Sequence, residues 1–124
     1  MIHLDTHVLV GLYLGQVNKL SAPARKAIER HDVFASAAAV MELEFLHEIG
    51  RLKPSAYTVI EALATDIGLR VCTLTFRAVV EQAVKESWGR DPFDRLIVAN
   101  AKAADAQLVT KDERIHKNCS IAIW

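Results

Sequence analysis

Short apolar segments alternate along this chain with longer segments of helical periodicity, and this alternation constrains the fold more than any other feature. The apolar segments predict strands at 1–4, 33–36, 69–74, 107–110 and 121–124. The segments between them predict helices at 6–14, 21–30, 37–49, 55–67, 76–88 and 91–104, with one more helical turn from Asp112. Because parallel strands need long crossover connections, this order favours a mainly parallel sheet covered by helices on both faces.

The chain is predicted to form one domain, residues 1–124, since it contains no internal repeat, low-complexity tract or linker. With 52% hydrophobic residues it can bury a sizeable core. Its fifteen basic and fifteen acidic side chains cancel, so nucleic acid could bind only through a local patch. Neutrality also limits solubility, which favours an oligomer or a partner protein.

Nothing in the sequence predicts membrane insertion or export. No apolar run approaches the roughly 18–20 residues that span a bilayer, and no secretory signal is recognisable. Cys72 and Cys119 lie far apart and are predicted to be reduced, buried thiols of a cytoplasmic protein. His3 and His7 are four residues apart, but His3 belongs to the first predicted strand, so a histidine zinc site is not expected.

Two aspartates follow predicted strands. Asp5 directly follows the first strand, and Asp112 follows LVT after one residue. Each could simply cap the helical segment that comes next, and Thr110 could be an ordinary strand-end residue or could orient Asp112 by a hydrogen bond. Since ligands of open α/β sheets bind at the carboxyl ends of the strands, both acids are also candidates for a shared site at this edge.

Glu42 is the one glutamate of the 37–49 helix that has wholly apolar neighbours. The residues that share its helical face are Ala38, Ala39, Phe45, Leu46 and Ile49. Glu44, by contrast, has mixed neighbours and is expected to be in water. Glu42 is therefore either a partly exposed residue at a helix boundary or an inward carboxylate that needs a cation or metal as its partner.

The DPFD segment opens the 91–104 helix with two acids. Asp91 suits the N-cap and Pro92 the first helical position, while Asp94 falls at the third. Both acids could complement the helix dipole, which is worth about 0.3–1 kcal/mol. Asp94 shares its face with Ile97 and Val98, however, so it is the better ligand candidate, with Asp91 as a cap or supporting group.

A cluster of carboxylates is a hard oxygen-ligand site that suits Mg²⁺ or Mn²⁺, and such ions serve phosphoryl chemistry. Each acid alone has a structural explanation, whereas a shared metal site explains all of them. The candidate metal-binding and catalytic residues are Asp5, Glu42, Asp94 and Asp112. Cations near them in sequence could grip a substrate phosphate or could be ordinary solvated side chains; they are Arg90, Arg95 and Lys111.

Four sequence blocks, taken in order, resemble the PIN domain, and more narrowly the VapC-type toxins of bacterial toxin–antitoxin pairs. The blocks are LDT, an acid eight residues before GRL, DPFDRLIVANA and LVTKD, and the resemblance covers nearly the whole chain. It implies a single three-layer α/β/α domain of PIN type. By the same resemblance, Asp5, Glu42, Asp94 and Asp112 match the family's acidic metal-binding quartet, and Thr6 and Thr110 match its supporting hydroxyls. One departure is GLYLG at 11–15, where many relatives carry a tryptophan.

The resemblance implies a Mg²⁺- or Mn²⁺-dependent endoribonuclease that leaves a 5′-phosphate and a 3′-hydroxyl. Asp5, Glu42 and Asp94 would hold the ion, while Asp112 would orient water or bind a second, weaker ion. VapC-type toxins are usually homodimers. A cognate VapB-type antitoxin inserts a segment into the acidic groove, where a basic side chain can occupy the site.

Two alternatives remain at this point. A phosphoacceptor receiver domain has a similar length, a parallel sheet and carboxylates at strand ends, but it needs adjacent acids after its first strand and an aspartate after a middle strand. Here Asp5 stands alone, and VCTLT at 71–75 contains no acid. The other alternative is a PIN-fold binding module without catalysis, although all four acids are present.

Overall fold

Five short parallel strands form the central sheet of the computed structural model, which describes residues 1–124. The strands are β1 (Ile2–Leu4), β2 (Val33–Ala35), β3 (Arg70–Val71), β4 (Gln107–Val109) and β5 (Ala122–Ile123). The helices are α1 (Thr6–Tyr13), α2 (Ala22–Arg30), α3 (Ala37–Glu48), α4 (Ala56–Ile67), α5 (Phe76–Ala83), α6 (Pro92–Ala103) and α7 (Glu113–Asn118). A 3₁₀ turn, Val17–Lys19, also lies between α1 and α2 and was not predicted.

The strand order is β3-β2-β1-β4-β5, so the first strand is central. The chain builds outward from β1 to β3 and then crosses back to β4 and β5. Right-handed crossovers place the helices of these two halves on opposite faces of the sheet. The predicted three-layer α/β/α architecture with a mainly parallel sheet is thereby confirmed, and every strand pair is in fact parallel.

The core joins the elements that carry the candidate acids. Leu4, Leu9, Leu43, Ile97 and Leu108 are completely buried, and they come from β1, α1, α3, α6 and β4. Burial of each such side chain is worth about 1.5–3 kcal/mol. Because the same five elements carry or adjoin the acids, core packing fixes the backbone positions from which the acidic side chains extend.

The strand predicted at 69–74 is wrong in length, because β3 contains only Arg70 and Val71. This strand lies at the sheet edge and pairs with β2 alone. The backbone N–H of Cys72 still donates to the carbonyl of Ala35, the last residue of β2. Beyond that point no neighbouring strand remains to continue the ladder, so the chain leaves the sheet.

The helix predicted at 76–88 is also too long, because α5 ends at Ala83. Glu86 accounts for the early end, since its side chain is 3% exposed and turned into the protein. It accepts hydrogen bonds from Lys102 Nζ at 2.7 Å, Gln82 Nε2 at 3.0 Å and Trp88 Nε1 at 2.7 Å. Burial alone would raise the pKa of Glu86, but these three donors hold it below its usual value. The network ties the end of α5 to α6.

No helix of this fold combines the length and apolar character that crossing a bilayer requires. The two cysteines are not paired: Cys119 is buried, and Cys72 is half-buried.

Candidate active site

A cavity of about 390 Å³ opens at the carboxyl edge of the sheet, and all four candidate acids line it. They come from the end of β1, from α3, from the first turn of α6 and from the loop after β4; they are Asp5, Glu42, Asp94 and Asp112. No lysine or arginine lines the cavity. The fold therefore brings together carboxylates that are up to 107 positions apart in the sequence.

Asp5 is held by hydrogen bonds on both carboxylate oxygens. Its Oδ1 accepts from the backbone N–H of Thr6 at 2.8 Å, which caps α1, and its Oδ2 accepts from the hydroxyl of Thr110 at 2.7 Å. The residue is only 4% exposed. Because each carboxylate oxygen has two lone pairs, Asp5 keeps acceptor capacity for a cation while it serves as a cap.

Thr110 couples the ends of β1 and β4. Its hydroxyl donates to Asp5 and accepts from the backbone N–H of Asp112 at 3.0 Å. Asp112 in turn accepts from the backbone N–H groups of Arg114 and Ile115 at 2.8 and 3.1 Å, which caps α7. Two roles considered from the sequence therefore occur together: Asp112 caps α7, and Thr110 holds Asp112 by a hydrogen bond.

The two acids of DPFD have different environments. Asp91 is exposed, and its Oδ1 accepts from the backbone N–H groups of Phe93 and Asp94 at 2.9 and 3.1 Å, as expected of an N-cap. The carboxylate of Asp94 makes no hydrogen bond and lines the cavity. Asp94 is therefore the acid of this pair whose carboxylate is free to take a new partner.

Two of the acids in this cavity, Asp94 and Glu42, have raised pKa values. Burial is the main reason that the pKa of Asp94 rises to about 7, and the charges of Asp91, Asp5, Asp112 and Glu42 add to it. Burial also raises the pKa of Glu42; the Thr6 hydroxyl opposes this rise, and Asp5 and Asp91 reinforce it. Uncompensated negative charge thus collects in this cavity, and a cation would relieve it.

The cavity fits a hard divalent ion by its chemistry, although its side chains are not yet gathered around one point. No three of them are close enough to chelate one ion in this arrangement. The donors are nevertheless all of the oxygen type that Mg²⁺ and Mn²⁺ prefer. In addition, the buried hydroxyl of Thr6 lies beside the Glu42 carboxylate and has no other partner, so it can orient this ligand.

His7 belongs to the cavity wall, which the sequence did not predict. Its Nε2 accepts from the backbone N–H of Lys111 at 2.9 Å, so the proton of the neutral ring is on Nδ1. Nδ1 faces Asp5 Oδ2 at 3.5 Å. The signal available in the sequence was a histidine in the first turn of α1, next to a strand-end acid.

Two of the three predicted phosphate-binding cations lie elsewhere. Arg95 donates to the carbonyl of Ala83 at 3.0 Å, and Arg90 donates to the carbonyl of Ser87 at 3.2 Å. Both line a separate shallow cavity between α5 and α6. Lys111 does adjoin the acidic cavity through its bond to His7.

Glu44 corrects another expectation. It was predicted to be in water, but its Oε1 accepts from the backbone N–H of Ala56 at 3.1 Å. Glu44 therefore caps α4, and Glu42 is the glutamate of α3 that lines the acidic cavity.

The chain belongs to the PIN domain family, whose model matches residues 2–120. This match excludes the receiver-domain alternative. No curated protein gives a significant match.

Several solved structures share the fold at low sequence identity. A chain of VapBC2 from Rickettsia felis, bound to a DNA fragment from its promoter, is similar with a TM-score of 0.67 and 17% identity, over 99% of this chain and 96% of that one. A chain of a toxin–antitoxin complex from Klebsiella pneumoniae is similar with a TM-score of 0.63 and 14% identity, over 100% of this chain and 97% of that one. A chain of VapBC-1 from nontypeable Haemophilus influenzae is similar with a TM-score of 0.62 and 17% identity, over 100% of this chain and 96% of that one.

Proposed function

We propose that this protein is a metal-dependent endoribonuclease and the toxin component of a type II toxin–antitoxin system. The observation that carries the proposal is one cavity in which four carboxylates meet without a lysine or arginine. Burial, with the charges of the neighbouring acids added to it, raises the pKa of Asp94 there to about 7. Such a site is costly to a fold unless it serves cation binding. Membership of the PIN family supports nuclease chemistry.

Asp5, Glu42 and Asp94 would hold Mg²⁺ or Mn²⁺. When bound, the ion would polarise the scissile phosphate and supply an activated water. Asp112 would orient that water or hold a second, weaker ion. The water oxygen would form the new bond to phosphorus while the P–O3′ bond breaks. The water gives up one proton and the leaving O3′ oxygen gains one, so the products are a 5′-phosphate and a 3′-hydroxyl.

The supporting residues act by fixing these carboxylates. Thr110 would keep Asp5 and Asp112 in register through its two hydrogen bonds. Asp91 would hold the first turn of α6, and with it Asp94. The buried hydroxyl of Thr6 would orient Glu42.

The proposed partner is a VapB-type antitoxin, and the proposed state is a cytoplasmic homodimer. The similarity to chains of VapBC and toxin–antitoxin complexes supports this partner. A cavity with four carboxylates would accept a basic side chain from an antitoxin, which would occupy the place of the ion.

The test is cleavage of a pool of transfer and ribosomal RNA by the purified chain, freed of antitoxin, in Mg²⁺, Mn²⁺ or EDTA. We expect discrete cuts that require a metal and disappear in Asp94→Asn. Glu42→Gln and Glu44→Gln form a matched pair on one helix, because only Glu42 lines the cavity and a glutamine at 44 can still cap α4. If Glu42→Gln and Glu44→Gln both lost cleavage, or if both retained it, the assignment of Glu42 to the active site would be contradicted. Metal binding without cleavage would instead favour the non-catalytic PIN module.

A further inference from the structure

A second cavity adjoins the acidic one and has the opposite electrostatic character. It is lined by two lysines and by no acid, and its volume is about 170 Å³. That is several times the ~30 Å³ share of one water molecule in the liquid, so a group of ring size can enter. His7, Gly11 and Gln16 line both cavities and form the wall between them.

Two aromatic rings line the second cavity. Trp124 directly follows β5, and its ring centroid lies 6.2 Å from that of His7, at an angle of 56°. The His7 ring is fixed because its Nε2 accepts from the backbone N–H of Lys111. Fixed aromatic faces beside a groove are the surfaces on which unpaired bases stack.

The lysines supply a local positive charge in a chain with no net charge. Lys19 reaches the cavity from the 3₁₀ turn after α1, and Lys111 reaches it from the end of β4. Both are exposed, and neither forms an ion pair. They can therefore contact a phosphate without first giving up a carboxylate partner.

Gly11 is a further sign that the space between the cavities is used. It lies inside α1, where glycine costs about 0.5–1 kcal/mol relative to alanine. A Cβ atom at this position would meet no atom within 4 Å. Packing therefore does not require the glycine, whereas a larger side chain would project into the groove that joins the two cavities.

We propose that the second cavity binds the nucleotide adjacent to the cleaved phosphate of a single-stranded RNA. Its base contacts the rings of Trp124 and His7, and its phosphate lies between Lys19 and Lys111. The arrangement places cations beside the acids, so one strand can present one phosphate to each cavity. The identity of the adjoining cavity rests on the proposed function, but the binding of the nucleotide does not.

The first test is binding of a fluorescein-labelled, single-stranded RNA hexamer to the full chain carrying Asp94→Asn, so that binding is measured without turnover. Trp124→Leu keeps apolar bulk against the core but removes the ring, and we expect roughly 5- to 100-fold weaker binding. Trp124→Phe retains a ring and should stay close to the parent. Intrinsic tryptophan emission should be quenched by RNA in the parent but not in Trp124→Phe, which retains only Trp88.

The second test measures the dependence of binding on salt. Lys19→Gln and Lys111→Gln should each lower the slope of log K against log salt concentration by about 0.7, the value for one phosphate contact on a single strand. Lys53→Gln is the control, since Lys53 is exposed but lines neither cavity. Gly11→Met should weaken binding without any change of charge.

The outcomes separate this proposal from the proposed function. Unchanged hexamer binding in Trp124→Leu and in both lysine variants would overturn the nucleotide site, even if the chain with Asp94 intact cleaves RNA in a metal-dependent way. Weakened binding in these variants would support the site, even if no metal-dependent cleavage were found. Absence of any hexamer binding by the parent would also overturn it and would leave the cavity to a protein segment.

Discussion

Replacing Asp94 by asparagine should stabilise the protein at neutral pH when no divalent ion is present. The pKa of Asp94 is raised to about 7 in the fold, against 3.8 for the free side chain. Because its pKa is higher in the folded than in the unfolded state, the contribution of Asp94 to the free energy of unfolding is fully present below about pH 4. That contribution is lost as the pH rises through about 7, when the carboxylate must ionise among the other acids.

The expected size of this effect follows from the difference between the two pKa values. About three pH units correspond to ~4 kcal/mol as an upper bound, at 1.36 kcal/mol per unit. Asp94 is half-buried, and solvent on the open side of the cavity screens its repulsion. We therefore expect Asp94→Asn to unfold with a free energy about 2 kcal/mol higher than the parent at pH 7.5, and with an equal free energy near pH 4.

His3 imposes the opposite dependence on pH. It is completely buried in β1 with no hydrogen-bond partner for either ring nitrogen, and burial lowers its pKa to about 4. The contribution of His3 to the free energy of unfolding is fully present above pH 6.5, the pKa of the unfolded side chain, and is lost as the pH falls through about 4. The shift is worth about 3 kcal/mol. As the pH rises from 4 to 7, Asp94 lowers the free energy of unfolding of the parent and His3 raises it, so the two effects largely offset each other. The Asp94→Asn variant retains only the effect of His3 and should therefore become clearly more stable over this range.

The assay is urea unfolding at pH 4.0, 5.5 and 7.5 in EDTA, followed by circular dichroism. Asp66→Asn, an exposed acid of α4, controls for the loss of one negative charge. A variant Asp94→Asn that is less stable than the parent at pH 7.5, or equally more stable at all three values, would refute the reasoning. Saturating Mg²⁺ should reverse the order, since 100-fold excess over Kd adds about 2.7 kcal/mol to a protein that binds it.

Three further substitutions test the supporting structure. Glu86→Ala should lower the free energy of unfolding by about 1–3 kcal/mol, because Lys102, Gln82 and Trp88 lose the acceptor that they share; a free energy from urea unfolding within about 0.5 kcal/mol of the parent value would contradict this. Gly11→Ala should raise the thermal midpoint through a gain of about 0.5–1 kcal/mol, since no atom opposes the new Cβ. Thr110→Val should cost about 1–3 kcal/mol, because the buried Oδ2 of Asp5 loses the hydroxyl that donates to it. It should also lower kcat in the RNA assay, and an unchanged kcat would show that Asp5 needs no orientation from Thr110.

The fold was predictable because its signals are local. Alternation of apolar segments and helical periodicity identified every strand and every α-helix, and Gly68, with a left-handed backbone, ends α4 as a helix-terminating glycine does. The errors arose where distant residues decide. The length of β3 depends on where its neighbour β2 ends, and the end of α5 depends on Lys102, which joins Glu86 from α6.

The acids were predictable for a different reason than the residues around them. Strand ends and helix faces can be read from sequence. Strand ends predicted Asp5 and Asp112 at one edge of the sheet, and helix faces predicted that Glu42 and Asp94 point inward. Arg95 was misplaced because one step along a helix turns a side chain by about 100°, so it points away from its neighbour Asp94 and toward α5. Contact between His7 and Trp124 joins the two ends of the sequence and has no periodic signal at all.

Capping and metal binding, which looked like rival explanations of the acids, are compatible because they use different lone pairs. Asp112 caps α7 through Oδ1 alone, which leaves its other oxygen free, and Asp5 accepts one bond on each oxygen. A fold that uses an acid as a cap retains that acid at the sheet edge when no ion is bound. Asparagine also caps helices, so Asp112→Asn, whose cap uses one oxygen, should remove a charged ligand while keeping the local structure. A loss of cleavage in Asp112→Asn can then be assigned to charge rather than to unfolding.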